Sequence, residues 1–278
     1  MESNTQQCGR IGVFDSGYGG LTVLKEIQKE LPEYGFLYLG DNARAPYGIR
    51  SFELIHKFTL DSVKYLFREG CPLVILACNT ASAKALRIIQ QENLPILAPH
   101  NRVLGVIRPT VERLSDISET GEIGILATPG TIASDTYRKE IRRFHPTFKT
   151  YNQACPMFVP LVENGEANGN GADFFVKKYM DELFKQSNLI DTIILGCTHY
   201  PLLIEKIRKY VPDSVKIIPQ GAIVAQALKE YLNRHPEIDE RLLKSADTIY
   251  LTTESSDKFD QMASNFIDKE IMSSTVCL

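Results

Sequence analysis

The sequence lacks the features that mark several large classes of protein. Its 278 residues contain no run of about 18 uninterrupted apolar residues, so we expect no transmembrane helix and no membrane partner. The first ten residues, MESNTQQCGR, are polar and predict neither a secretory signal nor a mitochondrial presequence. Together these absences predict a cytoplasmic protein.

Positive charge is not in excess either. The chain has 31 Lys and Arg residues against 34 Asp and Glu residues, which gives a formal net charge of −3. Binding to a phosphate backbone needs a basic field or a basic face on the protein. We therefore expect no nucleic-acid partner.

Cysteine is scarce and never occurs in a CxxC pair. Six cysteines in this length are too few for a disulfide scaffold, and they predict free thiols in a reducing compartment. The missing CxxC argues against zinc-ribbon and thioredoxin-like motifs. The six are Cys8, Cys71, Cys78, Cys155, Cys197 and Cys277.

Short apolar runs alternate with amphipathic segments along the whole chain. Segments 21–31 and 52–67 have apolar residues at the three- and four-residue spacing of a helix. The alternation predicts an α/β fold of mostly parallel sheets flanked by helices. The apolar runs are RIGVF (10–14), FLYLG (36–40), PLVILA (72–77), LPILA (94–98), EIGILA (122–127), FKTYN (148–152), DTIILG (191–196), VKIIP (215–219) and TIYLT (248–252).

The chain also repeats itself. RIGVFDSGYGG (10–20) aligns with EIGILATPGTI (122–132), and PLVILACNTAS (72–82) aligns with DTIILGCTHYP (191–201). The offsets are 112 and 119 residues. Chance similarity between apolar strands is one explanation, but two similar offsets favour two pseudo-symmetric lobes with the active site in the cleft between them.

The repeats also suggest where the lobes begin and end. We predict a first lobe at residues 1–99 plus 215–278 and a second lobe at residues 100–214. In this division the last part of the chain returns to complete the first lobe.

Ligands of open parallel sheets bind beyond the carboxyl ends of the strands, so the residues that follow the apolar runs are candidates for function. Four stretches stand out there. They are Asp15-Ser16, Ala45-Pro46-Tyr47-Gly48, Cys78-Asn79-Thr80 and Cys197-Thr198-His199.

Cys78 and Cys197 hold equivalent positions in the two repeats. Facing lobes would place their thiols on opposite sides of one cleft, and we expect helix N-termini to make both ionise more readily than ordinary cysteines. A single cysteine at a strand end is more often a small buried apolar residue. The matched pair favours chemistry instead.

His199 stands two residues after Cys197. In a continued strand the two side chains would share a face, and the imidazole would exchange a proton with the thiol. A Cys-x-His pair also suits zinc, but zinc needs three or four ligands, and the five histidines offer no second pair at the usual spacing. We therefore expect no metal.

Two carboxylates complete the candidates. Asp15 lies at the mouth of the first sheet, and the glycines of DSGYGG after it would expose backbone N–H groups to an anion. The motif fits a dinucleotide fingerprint poorly, and a plain turn between strand and helix remains an alternative. Glu163 closes the segment CPMFVPLVENG, where a solvated carboxylate at a helix end is the ordinary interpretation.

Five segments together resemble the cofactor-independent glutamate racemases of the aspartate/glutamate racemase superfamily. They are FDSGYGGLTV, DNARAPYG, ACNTASA, CPMFVPLVE and GCTHYPLL, and the resemblance runs from Arg10 to about Phe266. It implies interconversion of L- and D-glutamate without pyridoxal phosphate, metal or nucleotide, and a supply of D-glutamate for peptidoglycan. It also allows a homodimer without indicating its geometry.

The resemblance further implies roles for individual residues. Cys78 and Cys197 would be the two bases, with Asp15 assisting Cys78 and with His199 and Glu163 on the side of Cys197. Residues that would bind the substrate are Asp15, Ser16, Pro46, Tyr47, Gly48, Asn79, Thr80, Thr198 and His199.

Two alternatives and two departures accompany this assignment. The alternatives are a racemase of aspartate or another amino acid and a non-catalytic two-lobed protein that binds an acidic small molecule. Tyr18 replaces a smaller residue of the family pattern, and Pro219-Gln220 replaces a common Asp-Ser pair. The second departure puts a polar contact from that loop in doubt.

Overall fold

Two parallel sheets flanked by helices form the protein in a computed structural model that describes residues 8–267 and 269–278. The first sheet has the strand order β10-β9-β2-β1-β3-β4, and the second has the order β6-β5-β7-β8. The strands are β1 (Ile11–Asp15), β2 (Phe36–Gly40), β3 (Leu73–Leu76), β4 (Arg102–Gly105), β5 (Glu122–Ala127), β6 (Lys149–Ala154), β7 (Thr192–Gly196), β8 (Lys216–Ile218), β9 (Thr248–Thr252) and β10 (Ser273–Thr275).

Helices connect nearly all of the strands. The α-helices are α1 (Gly20–Glu30), α2 (Phe52–Arg68), α3 (Asn79–Lys84), α4 (Leu86–Ile88), α5 (Leu94–Leu97), α6 (Ile107–Glu112), α7 (Leu114–Ile117), α8 (Pro129–Ser134), α9 (Thr136–Phe144), α10 (Phe158–Glu163), α11 (Asn170–Phe184), α12 (Ile204–Arg208), α13 (Gly221–Arg234), α14 (Pro236–Asp239) and α15 (Ser256–Ala263). A π-helical segment, Ile89–Asn93, joins α4 to α5, and short 3-10 helices cover Asn42–Arg44, Tyr47–Ile49 and Tyr200–Leu203.

The predicted α/β class is confirmed, and the internal repeat reappears in the strand order. The order β2-β1-β3-β4 in the first sheet recurs as β6-β5-β7-β8 in the second. The strands β1 and β5 therefore match, as do β3 and β7, which are the strands that the sequence repeats aligned. The strands β9 and β10 then extend the first sheet beyond β2.

Burial explains why the central strands are continuous apolar runs. Every residue of β1, β2, β3 and β7 is buried, because helices cover both faces of each sheet. The helix α1 buries Leu21, Leu24 and Ile27 on one face and packs against α13. Ser51 caps α2, since its hydroxyl accepts the backbone N–H of Leu54 at 3.3 Å.

One predicted strand is wrong. The run LPILA forms the helix α5, and its Ile96 is 84% exposed. Pro95 fits the first turn of that helix, where its missing N–H breaks no hydrogen bond. The position beside β3 is taken by β4, which the apolar runs did not indicate.

Two strands lie on the wrong side of a predicted lobe boundary for the sheet that they join. The strand β4 belongs to the first sheet although it follows residue 99, and β8 belongs to the second sheet although it follows residue 214. The division of the chain into two domains stays a prediction. Residues 1–7, on which the expectation about a leader partly rests, lie outside the described residues. Within the described part, no helix is long and apolar enough to cross a bilayer.

Candidate active site

The ends of β1 and β7 meet where the two sheets face each other. Thr198 donates its hydroxyl to Asp15 Oδ1 at 3.4 Å, and Thr22 donates to the carbonyl oxygen of Thr198 at 3.0 Å. The turn after β1 approaches so closely that a Cβ on Gly19 would lie 2.3 Å from Thr198 Oγ1. Asp15 and Cys197, from different sheets, therefore share one buried region.

Cys78 lies at the end of β3, directly before α3. Its side chain is 6% exposed, and its thiol donates to Ser16 Oγ at 3.4 Å. The pKa of Cys78 is raised to about 12, first by burial and then by the nearby Asp15 carboxylate, while contacts from Ser16 and the backbone of Ala81 lower it. The expectation that Cys78 ionises readily is therefore wrong, because the first turn of a six-residue helix is outweighed by desolvation.

Cys197 lies in a different setting at the end of β7. Its Sγ is 3.9 Å from His199 Nδ1, and His199 Nε2 is 2.9 Å from Glu163 Oε1. Burial alone would lower the pKa of His199, but the hydrogen bonds to Cys197 and Glu163 raise it to about 10. The strand itself ends at Gly196, so a tight turn, and not a continued strand, brings thiol and imidazole together.

Asp15 stands between these two cysteines. It is fully buried, and its Oδ2 accepts the backbone N–H of Gly17 at 3.0 Å. Burial raises its pKa, while His199 and the backbone N–H groups oppose that rise. Asp15 is thus the carboxylate that influences both sides of the region.

The segment Pro46-Tyr47-Gly48 contacts the second sheet. Tyr47 is buried and donates its hydroxyl to Asp41, a fully buried carboxylate that also accepts Arg44 Nε at 2.6 Å. A Cβ on Gly48 would lie 2.9 Å from the Cβ of Thr128 at the end of β5. The hydroxyl of Tyr47 therefore holds the loop, and the backbone of Gly48 is what approaches the other lobe.

Comparison with known proteins places this geometry in a family. Residues 11–228 match the family model described as Asp/Glu/Hydantoin racemase. The chain belongs to this family. It is 39% identical to the glutamate racemase of Ruegeria sp. (strain TM1040) over 271 residues, which cover 94% of this chain and 97% of that protein.

Solved racemase structures agree with this assignment. The glutamate racemase isoform RacE1 of Bacillus anthracis has a TM-score of 0.88 to this chain and 35% identity, and the match covers 97% of this chain and 98% of that one. The glutamate racemase of Francisella tularensis, solved in complex with D-glutamate, has a TM-score of 0.86 and 32% identity over 97% of both chains.

The structure of this racemase-family chain gathers the candidate residues at one edge of the two sheets. Ser16 and Cys78 are in contact, as are Cys197, His199 and Glu163. Glu163 lies at the end of α10 and is 27% exposed. It is not simply a solvated carboxylate, because it pairs with the buried His199. Thr80 and Asn79 are buried in α3, each within a hydrogen-bond network.

Sequence reasoning missed Thr128 and Thr131. Thr80 Oγ1 lies 3.0 Å from Thr128 Oγ1 and 3.2 Å from Thr131 Oγ1, so the three hydroxyls form one buried cluster between the lobes. The repeat offers a signal that would have found the first of them. The offset of 112 aligns Thr128 with Ser16.

Gln220 was also missed, because the departure from the family pattern put this loop in doubt. It is 4% exposed and accepts a hydrogen bond from Asn79 Nδ2 at 2.7 Å. The doubt about a polar contact from this loop is therefore wrong. No short-range pattern reveals a bond between residues 141 positions apart.

A cavity of about 270 Å³ opens beside Glu163 and Pro46. Tyr18 lines it and stacks on Phe259 and Phe266, with ring centroids 5.3 and 6.0 Å apart. The large side chain at position 18 is thus accommodated by aromatic packing against the C-terminal part of the chain. The cavity is lined by Tyr18, Asn42, Ala45, Pro46, Glu163, Asn164, Glu254, Lys258 and Met262.

The other four cysteines have no cysteine at the matching position of the other repeat. Cys71 and Cys155 are buried, and burial raises the pKa of both thiols. Cys8 and Cys277 are exposed. No disulfide joins any of the six cysteines, all of which lie in the described part of the chain.

Proposed function

We propose that the protein is a glutamate racemase that interconverts L- and D-glutamate by proton transfer at the α-carbon between two cysteines. The observation that carries the proposal is the pair of buried thiols at the ends of the matched strands β3 and β7. Inversion at one carbon needs a base on one face and an acid on the other. Cys78 and Cys197 supply one group from each sheet.

The charges around the two thiols support this division of work. The high pKa of Cys78 keeps it protonated at neutral pH, which suits it to deliver a proton. The pKa of His199 is raised to about 10, and its imidazole lies 3.9 Å from Cys197 Sγ, which suits Cys197 to act as the base. In the reverse reaction the two cysteines exchange their roles as acid and base. The charge on each sulfur then changes beside its charged neighbour, which is Asp15 for Cys78 and His199 for Cys197.

The carbanion that forms during the transfer is the main chemical difficulty. An α-hydrogen of an amino acid is far less acidic than a thiol, and each pKa unit of mismatch costs about 1.4 kcal/mol. Fixed dipoles in a region from which water is excluded offset part of this cost. The half-buried hydroxyl of Ser16 and the buried hydroxyls of Thr80 and Thr198 are candidates for these dipoles and for binding the substrate's charged groups.

The proposal extends to the setting of the enzyme. It includes a cytoplasmic location, D-glutamate as a precursor for peptidoglycan, L- and D-glutamate as the small-molecule partners, and no added cofactor. A homodimer is also part of the proposal. The relatives' names and the D-glutamate complex of the Francisella enzyme support the substrate.

The first test is to incubate the metal-stripped protein with D-glutamate in D2O without cofactor. We expect loss of optical rotation together with loss of the α-proton NMR signal. Neither change with glutamate, but both with aspartate, would make the protein an aspartate racemase, since one methylene shifts kcat/KM by roughly 10- to 200-fold. Ligand binding without exchange would favour the binding-protein alternative.

A further inference from the structure

A closed ring of hydrogen bonds surrounds the residue that follows Cys78. Asn79 Nδ2 donates to Gln220 Oε1 at 2.7 Å, Gln220 Nε2 donates to Tyr137 Oη at 2.7 Å, and Tyr137 Oη donates to Asn79 Oδ1 at 2.6 Å. Gln220 Nε2 also reaches Thr110 Oγ1 at 2.9 Å and the carbonyl oxygen of Val106 at 3.3 Å. The side chains of the ring are each at most 4% exposed.

The ring and the carbonyl oxygen of Val106 together permit one orientation of each amide. Turning the amide of Gln220 over would set its NH₂ group against that of Asn79, whereas turning Asn79 over would set its carbonyl oxygen against that of Gln220. Turning both together would set the carbonyl oxygen of Gln220 against that of Val106. Each such turn would leave buried polar groups without a hydrogen-bond partner, which costs about 1–3 kcal/mol per group. The amide of Asn79 is therefore fixed by two partners that lie far from it in sequence.

These partners come from segments that adjoin the second sheet. Asn79 is the first residue of α3 and follows the strand β3 of the first sheet. Gln220 follows β8 of the second sheet and precedes α13, while Tyr137 belongs to α9. Side chains that adjoin the second sheet therefore hold Asn79, the first residue of the helix that follows Cys78.

The terminal amide of the glutamine side chain makes this arrangement possible. The ring needs one group at position 220 that both accepts from Asn79 and donates to Tyr137. A terminal amide has both functions on separate atoms, and Gln220 uses both.

We propose that Gln220 is a positioning residue for the proposed racemase reaction. It closes the ring, fixes the amide of Asn79 and thereby sets the start of α3 and the thiol of Cys78. Its effect on catalysis rests on the proposed function, whereas its effect on the Cys78 thiol does not. The two consequences are therefore measured separately.

The kinetic test compares Gln220→Met with Gln226→Met. The first keeps the shape of the side chain and removes both hydrogen-bonding groups, and we expect kcat/KM to fall about 10- to 100-fold. Gln226 is an exposed residue of α13 that contacts Glu230, so its replacement is the matched control, with kcat/KM within about twofold of the parent protein.

A second variant, Tyr137→Phe, breaks the ring at another point and keeps the buried ring of the side chain. We expect a similar loss, and we expect the double variant to lose no more than about threefold beyond Gln220→Met, because both changes open one network. Losses that simply multiply would show two independent effects and would overturn the proposal.

The second readout is alkylation of the native protein by iodoacetamide, followed for each cysteine by mass spectrometry. In Gln220→Met we expect the rate at Cys78 to change by about fivefold or more, while the rates at Cys71, Cys155 and Cys197 stay within about twofold. An unchanged rate at Cys78, or a parallel rise at all four, would overturn the positioning role. If the parent protein fails to racemise glutamate but the selective change at Cys78 persists, the proposed function fails and the positioning role stands.

Discussion

The two sheets share a strand order but place opposite charges beside their cysteines. Cys78, at the end of β3, is influenced by the carboxylate of Asp15, and its pKa is raised to about 12 by burial and by that charge. Cys197, at the end of β7, is 3.9 Å from His199, whose pKa is raised to about 10. A symmetric backbone thus carries an asymmetric pair of thiols, so the repeat predicts where the chemistry lies but not which sulfur holds the proton.

This asymmetry has a limited effect on the proposed reaction. L- and D-glutamate have equal free energies in water, so kcat/KM must be the same in both directions for any variant. Differences between the two sides appear only in kcat, in KM and in the isotope effect measured from each enantiomer. Those quantities, more than kcat/KM, therefore report on the difference between the settings of Cys78 and Cys197.

The largest effect is expected from removing either thiol. Cys78→Ala and Cys197→Ala each remove one of the two proton carriers, so we expect kcat/KM to fall about 10²- to 10⁴-fold in both directions. Racemisation is followed by polarimetry, with Cys277→Ser at an exposed cysteine as the control. Full activity in either alanine variant would show that the two-base assignment is wrong.

A smaller loss is expected when the positive charge beside Cys197 is weakened. Glu163→Gln removes the carboxylate that accepts from His199 Nε2, so the pKa of His199 should fall from about 10. We expect kcat/KM to fall about 10-fold to 100-fold and its high-pH limb to move to lower pH. Glu166→Gln, in the adjoining loop, is the control. A high-pH limb that does not move in Glu163→Gln would show that His199 does not set the pH dependence of kcat/KM.

On the other side of the site, the pKa of Cys78 should respond to the loss of the Asp15 charge. Asp15→Asn removes a negative charge, so the pKa of Cys78 should fall from about 12 and its alkylation should begin at lower pH. The measurement is the alkylation rate of Cys78 against pH, with Asp61→Asn as a distant control. A curve that stays in place would mean that burial alone sets this pKa.

The raised pKa of His199 also predicts a change of stability with pH. Folding favours its protonated form, so its contribution is complete below the ordinary pKa of 6.5 and is lost as pH rises through about 10. We expect the difference in free energy of unfolding between the parent protein and His199→Gln to shrink between about pH 6 and pH 10. Urea unfolding measures it, and a constant difference would contradict the assigned pKa.

The smallest effect is expected from the contact between the lobes at Gly48. A Cβ there would lie 2.9 Å from the Cβ of Thr128, so Gly48→Ala should push the two sides apart by a few tenths of an ångström. We expect kcat/KM to fall about three- to tenfold, mostly through KM. Thr128→Ser would remove the methyl carbon, which the new Cβ would meet at 3.1 Å, and should restore part of the loss. Unchanged kcat/KM in Gly48→Ala would show that the reaction does not need this close approach.

The sequence predicted much of this arrangement because the relevant signals are local. An apolar run followed by a polar turn marks the end of a buried parallel strand, and the repeat matched β3 with β7 and hence Cys78 with Cys197. The run LPILA misled the prediction, because five apolar residues fit a short helix as well as a strand. The exposed side chain of Ile96 shows that this run does not contribute a buried strand to the core.

The contacts that define the site in detail are not local. The ring through Asn79, Tyr137 and Gln220 joins three segments, and its hydrogen bonds depend on how the two sheets are placed. The raised pKa of Cys78 likewise depends on burial, which a helix N-terminus in the sequence does not reveal. Both required the folded structure.

The late position of β9 and β10 in the chain has a consequence for synthesis on the ribosome. Each set of four matched strands is contiguous in sequence, so both halves of the repeat are made before β9 emerges. Until then β2, whose five residues are all buried in the finished protein, is an unpaired edge strand. An apolar edge of this kind is a template for pairing with another chain. The nascent protein is therefore most open to aggregation just before its last 30 or so residues arrive.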